Sequence, residues 1–177
     1  NYKDENTGYD YILHIASPTA SKDFVTHAVE VIDFAYGAAK NLLELARMHN
    51  STFVYFSSLE VYGSPSSDEK IAENYISSCP DTMSSRSSYS EGKRICETLS
   101  RSYFEEYGVP VFILRLTQTF GPGVKNTDNR VFAQFARACR NGEDIILKST
   151  GESKKSYLYT MDMVSAVLTI ILKGHLG

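Results

Sequence analysis

The chain has 177 residues, 42% apolar and 22% charged, with a net charge of −3. That is enough for one domain with its own core. The scattered lysines and arginines exclude the basic stripe of a nucleic-acid binder, and no apolar run approaches the ~20 residues of a membrane span.

The start, NYKDENTGYD, has no signal-peptide core. Three cysteines (Cys79, Cys96, Cys139) are odd in number, far apart and without metal spacing, which predicts free thiols in a reducing compartment. The four histidines are equally dispersed, so no metal site is expected. The expectation is a cytoplasmic protein that binds neither nucleic acid nor membrane.

Strands and helices alternate along the chain. YDYILHIAS is an apolar run of strand length. From Asp23 to Asn50 the pattern is helical, with Val25, Val29, Ile32, Tyr36, Ala39, Leu43 and Ala46 on one stripe. STFVYFSS is a second strand of the buried type. A serine-rich loop, Ser64 to Ser88, is long for a connection, which points to function. Tyr89 to Tyr107 is helical and stops at Gly108-Val109-Pro110. VPVFILRL is a third strand, Val131 to Asn141 a helix, DIILKST a strand, and Asp162 to Lys173 a last helix. The alternation predicts an α/β fold with a doubly wound parallel sheet covered on both faces.

Such nucleotide-binding sheets normally open with a strand, a glycine-rich turn and a helix. No glycine cluster precedes the first strand here. Either that βαβ unit lies outside this chain or the fold does not need one.

Two Tyr-x-x-x-Lys pairs occur, and with 12 tyrosines one match is expected by chance. Tyr36–Lys40 lies on the apolar stripe, so Tyr36 is expected in the core. Tyr89–Lys93 opens a helix after a loop, and residues four apart share a helix face. FVYFSS ends in hydroxyls at the carboxyl edge of the sheet, where open α/β sheets bind ligands. Taken alone, the pair suits a catalytic couple or two residues one turn apart. A free tyrosine, pKa ~10, is a poor base at neutral pH, and a nearby ammonium favours its phenolate. Such a tyrosine takes a proton from an alcohol while hydride leaves the same carbon, and a serine hydroxyl holds the oxygen.

The motifs together resemble the extended short-chain dehydrogenase/reductase superfamily, in its NAD-dependent epimerase/dehydratase branch acting on nucleotide sugars. They are YDYILHIASP, NLLELA, FSSLEVYG, YSEGK, RLTQTFGPG and KKSYLYTMD, in that order. The resemblance implies a Rossmann-like fold, NAD as cofactor and a nucleotide-sugar substrate. It implies that Ser58 is the active-site hydroxyl, Tyr89 the acid/base, and Lys93 the group that tunes Tyr89 and bonds the nicotinamide ribose. Ala16 and Ser17 are expected beside the cofactor, and Leu116 and Thr117 near its nicotinamide end. Gln118 replaces the family's usual Asn against the sugar nucleotide. Lys155 stands where an Arg holds the diphosphate, a point charge without the bidentate fork. Arg130 approaches a phosphate or starts a helix, Arg115 is a strand-end residue, and His14 a packed one.

By the same resemblance the chain is an internal part of one NAD-binding domain. Its glycine-rich unit lies upstream of Asn1, its C-terminal end beyond Gly177, and the substrate-binding part starts near residue 120. The long helix from Asp23 and the helix from Tyr89 are the elements that pair in the family's dimers. After Ser58 the chain has Leu59-Glu60. Leu59 cannot donate a proton, which disfavours 4,6-dehydration. Glu60 resembles the base of the decarboxylases and dehydratases, or is an exposed loop carboxylate. RSSYSEGKR and HIASP also resemble the decarboxylases, so an epimerase and a decarboxylase both stand. A non-catalytic dinucleotide sensor or scaffold on the same fold is the alternative.

Overall fold

The structure, a computed structural model, describes residues 8–63, 70–75, 81–147, 149–152 and 154–174. Cys79 and residues 64–69 and 76–80 of the serine-rich loop lie outside them. Two units make up the chain, Asn1–Arg115 with Ile170–Gly177, and Leu116–Thr169.

In the first unit β1 (Tyr11–His14), β2 (Thr52–Ser58) and β3 (Val111–Leu116) form a sheet in that order. β1 and β2 run parallel, with Tyr11 opposite Thr52 and His14 opposite Tyr55. β2 is central, and Phe53 through Phe56 are all buried. A strand covered on both faces has no polar side, which is why FVYF is continuous rather than alternating. β1 alternates instead: Ile12 and His14 point inward, while Tyr11 and Leu13 are exposed.

The helix expected from Asp23 to Asn50 is broken. α1 (Asp23–Thr26) and α2 (Ala28–His49) meet at His27, whose φ of −136° and ψ of 43° leave the helical region. The break turns Phe24 into the interior, where it is buried. The expected stripe is buried only in its second half, at Ala39, Leu43 and Ala46. Val25, Val29, Ile32 and Tyr36 are exposed, and Val31 faces inward in their place. Tyr36 is therefore not a core residue. α2 carries two overlapping apolar stripes, and spacing alone does not say which one meets the sheet.

α3 (Ser87–Tyr107) connects β2 to β3. Crossovers in such units are right-handed, so α2 and α3 share one face of the sheet and pack along each other. They pack tightly at Gly92, where an added Cβ would sit 3.2 Å from that of Ala35. One turn on, the Cys96 thiol donates to the Ala35 carbonyl. α3 ends at Gly108, whose φ of 70° suits glycine, and Val109 and Val111 carry the chain back into the core.

In the second unit β4 (Gln118–Phe120) and β5 (Tyr157–Tyr159) form a two-stranded parallel sheet. α4 (Val131–Asn141) lies between them in sequence, and α5 (Thr160–Lys173) follows β5 at once. The strand expected over DIILKST is not formed at residues 144–147, where Ile146 is 77% exposed. A run becomes a strand where another offers a ladder, and here β5 is the partner of β4.

Candidate active site

β2 delivers Ser57 and Ser58 to the carboxyl edge of the sheet, and the chain turns into a short 3-10 helix, Leu59–Tyr62. Ser58 caps that helix: its hydroxyl accepts from the Glu60 N–H at 3.3 Å. This is the local reason for a serine there, since a cap needs a short side-chain acceptor.

The first turn of α3 is fastened by two hydroxyls. Ser87 donates to the Asp81 carbonyl at 2.7 Å and Ser88 to the Phe24 carbonyl at 2.9 Å. Tyr89 and Lys93 project from one helix face. Burial raises the Tyr89 phenol above its ordinary range; the hydrogen bond from Ser58 pulls it down, Glu60 pushes it up and Arg86 lowers it again.

Lys93 is buried, and its ammonium donates to the Phe56 carbonyl at 2.7 Å. Its Nζ lies 5.0 Å from the Tyr55 ring centre and 5.7 Å from that of Tyr89. Burial lowers its pKa from 10.5 to about 8, against the opposing pull of Cys96 and Glu97. His14 packs against Tyr55 across the strands. Burial, helped by the Lys93 charge and opposed by a hydrogen bond to the Ala16 backbone, lowers it to about 4, so it is neutral. Its Nδ1 is buried without a hydrogen-bond partner among the described residues.

Three side chains at this site were not singled out in the sequence. Phe24 stacks on Tyr89, with ring centres 4.3 Å apart and planes 15° apart. Arg86 lies over the Phe24 ring, 4.8 Å from its centre, and pairs with Glu60 at 2.8 Å. Glu97 accepts from Ser57 at 2.6 Å and from the fork of Arg115 at 2.7 to 3.2 Å. Arg115 also donates to the Glu73 carbonyl and lies over the Tyr62 ring, so it is a clamp. Arg86 and Glu97 were within reach of sequence reasoning: with Tyr89 and Lys93 they occupy positions spaced three, four and four apart. Phe24 was not, because only the break at His27 turns it inward.

The first unit thus brings Ser58, Glu60, Tyr89 and Lys93 together. Ala16 and Ser17 follow β1 in the same unit, Ala16 exposed and Ser17 half-buried. In the second unit, Leu116 at the end of β3, Thr117 after it and Gln118 at the start of β4 are half-buried, and Lys155 is exposed before β5. Arg130 precedes α4, where Asp128 holds its guanidinium at 2.6 Å over the Phe132 ring. That unit also has a cavity of about 450 Å³ with walls that include Phe120, Phe132 and Tyr159 beside Lys125, Arg137 and Arg140. Gln118, Arg130 and Lys155 do not line it.

A parallel α/β sheet carrying a serine–tyrosine–lysine set at its carboxyl edge defines a short-chain dehydrogenase/reductase architecture. Within it, the chain belongs to the NAD dependent epimerase/dehydratase family, which matches it over residues 2–177. It is 28% identical over 162 residues to UDP-glucuronic acid decarboxylase 1 of Xenopus tropicalis, covering 92% of this chain and 38% of that protein. Among solved structures it resembles a UDP-N-acetylglucosamine 4-epimerase from Methanobrevibacter ruminantium in complex with UDP-N-acetylmuramic acid. The TM-score is 0.80 at 24% identity, covering 95% of this chain and 53% of that one. It also resembles a dTDP-glucose 4,6-dehydratase from Bacillus anthracis in complex with NAD, with a TM-score of 0.76 at 21% identity, covering 94% and 49%. The chain spans about half the length of these structures and less of the decarboxylase. No helix among the described residues is long and apolar enough to cross a membrane.

Proposed function

We propose that this chain carries the catalytic centre of a nucleotide-sugar enzyme that oxidises the sugar at C4 before epimerisation or decarboxylation. The observation that carries the reading is the convergence of Ser58, at the end of the central strand, with Tyr89 and Lys93 one turn apart on α3, Lys93 Nζ lying 5.7 Å from the Tyr89 ring centre. Tyr89 takes the proton of the C4 hydroxyl, and Ser58 orients that oxygen.

The residues present fit a dinucleotide. An ammonium has three donors, and the Phe56 carbonyl accepts from Lys93, so others serve ribose hydroxyls. Ala16, Ser17, Lys93, Tyr89, Leu116 and Thr117 are the residues we assign to NAD. When bound, NAD supplies the acceptor for the C4 hydride. The substrate residues are Ser58, Gln118, Arg130 and Lys155, and the aromatic and cationic walls of the second unit's cavity suit a nucleotide. Leu59 offers no proton, while Glu60, held by Arg86, is a carboxylate beside the reacting hydroxyls. Together with the resemblance to a decarboxylase, this favours decarboxylation over dehydration.

The test is turnover of a nucleotide-sugar panel by the full-length protein and its Tyr89→Phe variant. An expected loss of about 10² to 10⁴-fold, with unchanged circular dichroism, supports catalysis. Unchanged turnover would sink it, and dinucleotide binding without turnover in either protein would favour a sensor or scaffold. The exposed stripe of Val29, Ile32 and Tyr36 on α2 is the surface we assign to a homodimer contact. Ile32→Lys should shift the sedimentation of the full-length protein to that of a monomer. We also assign the protein to the cytoplasm, which imaging of a tagged full-length protein tests.

A further inference from the structure

Arg86 occupies an unusual position for a partly exposed arginine. Its guanidinium meets the Glu60 carboxylate at 2.8 Å on one side and the Phe24 ring at 4.8 Å on another. Phe24 is only 3% exposed, and its ring also stacks on Tyr89 at 4.3 Å. Arginine, phenylalanine and tyrosine therefore form one continuous stack. The stack is anchored from behind, because the Ser88 hydroxyl binds the Phe24 carbonyl. A surface ion pair contributes little to stability, and the Arg86 side chain is 42% exposed. A planar guanidinium both stacks on a ring and bonds a carboxylate, which an ammonium does less well.

We infer that Arg86 is a positioning residue of the Tyr89 site: it clamps Phe24 onto the Tyr89 phenol and holds the Glu60 carboxylate at the rim. This rests on the catalytic reading of Tyr89 above. The clamp has two consequences. The phenol is held by a ring on its face, so its hydroxyl keeps one direction toward Ser58. The negative charge of Glu60, which disfavours the phenolate, is offset by the cation that fixes it. Among the described residues, the charged and titratable groups around Tyr89 are Glu60 from the 3-10 helix, Arg86 and Lys93 from the α3 segment, and Tyr55 from β2, whose phenol burial pushes up.

The experiment compares full-length wild type, Arg86→Met, Arg86→Lys and the double variant Arg86→Met/Glu60→Gln. With carbon-13-labelled tyrosine, the Tyr89 ring signals are assigned by their loss in Tyr89→Phe. In Arg86→Met those signals should lose the upfield displacement caused by the stacked Phe24 ring. Turnover at neutral pH should fall about tenfold, with KM little changed. The limb of the pH–turnover profile that reports the base should move to higher pH. Removing Glu60 as well should return the titration of the Tyr89 phenol, read from its carbon-13 signals rather than from turnover, toward its wild-type position without restoring the ring displacement. Arg86→Lys keeps the charge but not the planar contact, so it should keep the limb and lose the ring displacement. A folded Arg86→Met protein, or Arg86→Lys if the former does not fold, with wild-type Tyr89 signals overturns the clamp. A limb that stays put in Arg86→Met, when Tyr89→Phe abolishes turnover, overturns the charge role. If Tyr89→Phe retains turnover, the catalytic reading fails instead, and the ring signals still decide the clamp.

Discussion

The two ends of one face of α3 carry acid–arginine pairs of opposite character. Near Lys93, Glu97 has a side chain only 13% exposed, gripped by the fork of Arg115 and by the Ser57 hydroxyl. Beside Tyr89, Glu60 is 33% exposed and meets Arg86 through a single bond at 2.8 Å. The first pair ties a helix to two strands. The second ties a short turn to a stacked ring beside the phenol. The same residue types give a structural clamp where the acid is mostly covered and a rim contact where it is a third exposed. Burial decides which, because a buried charge without its partner is costly and an exposed one is not.

Breaking the more covered pair should have the largest effect on stability. Glu97→Ala leaves Arg115 and Ser57 without their acceptor, and urea unfolding should show a loss of about 2 to 3 kcal/mol. A loss no larger than that of a rim residue would erase the distinction between the two ends.

Lys93, between the pairs, should behave in the reverse sense. Its ammonium is charged below about 8 in the folded protein and below 10.5 when unfolded. The cost of burying that charge is fully present below pH 8 and lifts as pH rises from about 8 toward 10.5. Lys93→Met should therefore stabilise the fold at pH 7, by about 1 to 2 kcal/mol after loss of the Phe56 bond, while abolishing turnover. Unfolding free energy measured across that pH window should rise in the wild type and be flatter in the variant.

His14 sets the acid side. Its pKa of about 4 lies below the ordinary 6.5, so the unfolded chain binds the extra proton first. Stability should fall as pH drops through that interval, and His14→Leu should remove this part of the slope. The smallest change is expected at the rim: Glu60→Gln should alter stability by less than about 1 kcal/mol. Its effect should appear in turnover instead, and a large loss of stability there would show that the rim pair is a clamp too.

Much of this was legible in the sequence because it is local. The apolar runs of β1, β2 and β3 are visible as runs, Gly108 marks the end of α3, and the i, i+4 spacing places Tyr89 and Lys93 on one face. The serines that end FVYFSS sit at the strand's edge for the same reason. Where two local patterns compete, hydropathy could not choose. α2 has two apolar stripes, and Val29, Ile32 and Tyr36 fall on the one left exposed. Ile145, Ile146 and Leu147 look like a strand but find no ladder, while Tyr157–Tyr159 does.

By itself, the sequence determined the order of the first three strands and the helices that join them, and the placement of a tyrosine, a lysine and a serine where one chemistry can use them. Those features depend on backbone geometry over a few residues. Only the tertiary structure decided that Phe24 covers Tyr89, that Arg86 reaches Glu60 across 26 positions, and that Glu97 belongs to Arg115 rather than to solvent. These partnerships join segments distant in the chain, and they exist because folding removes water from one acid more completely than from the other.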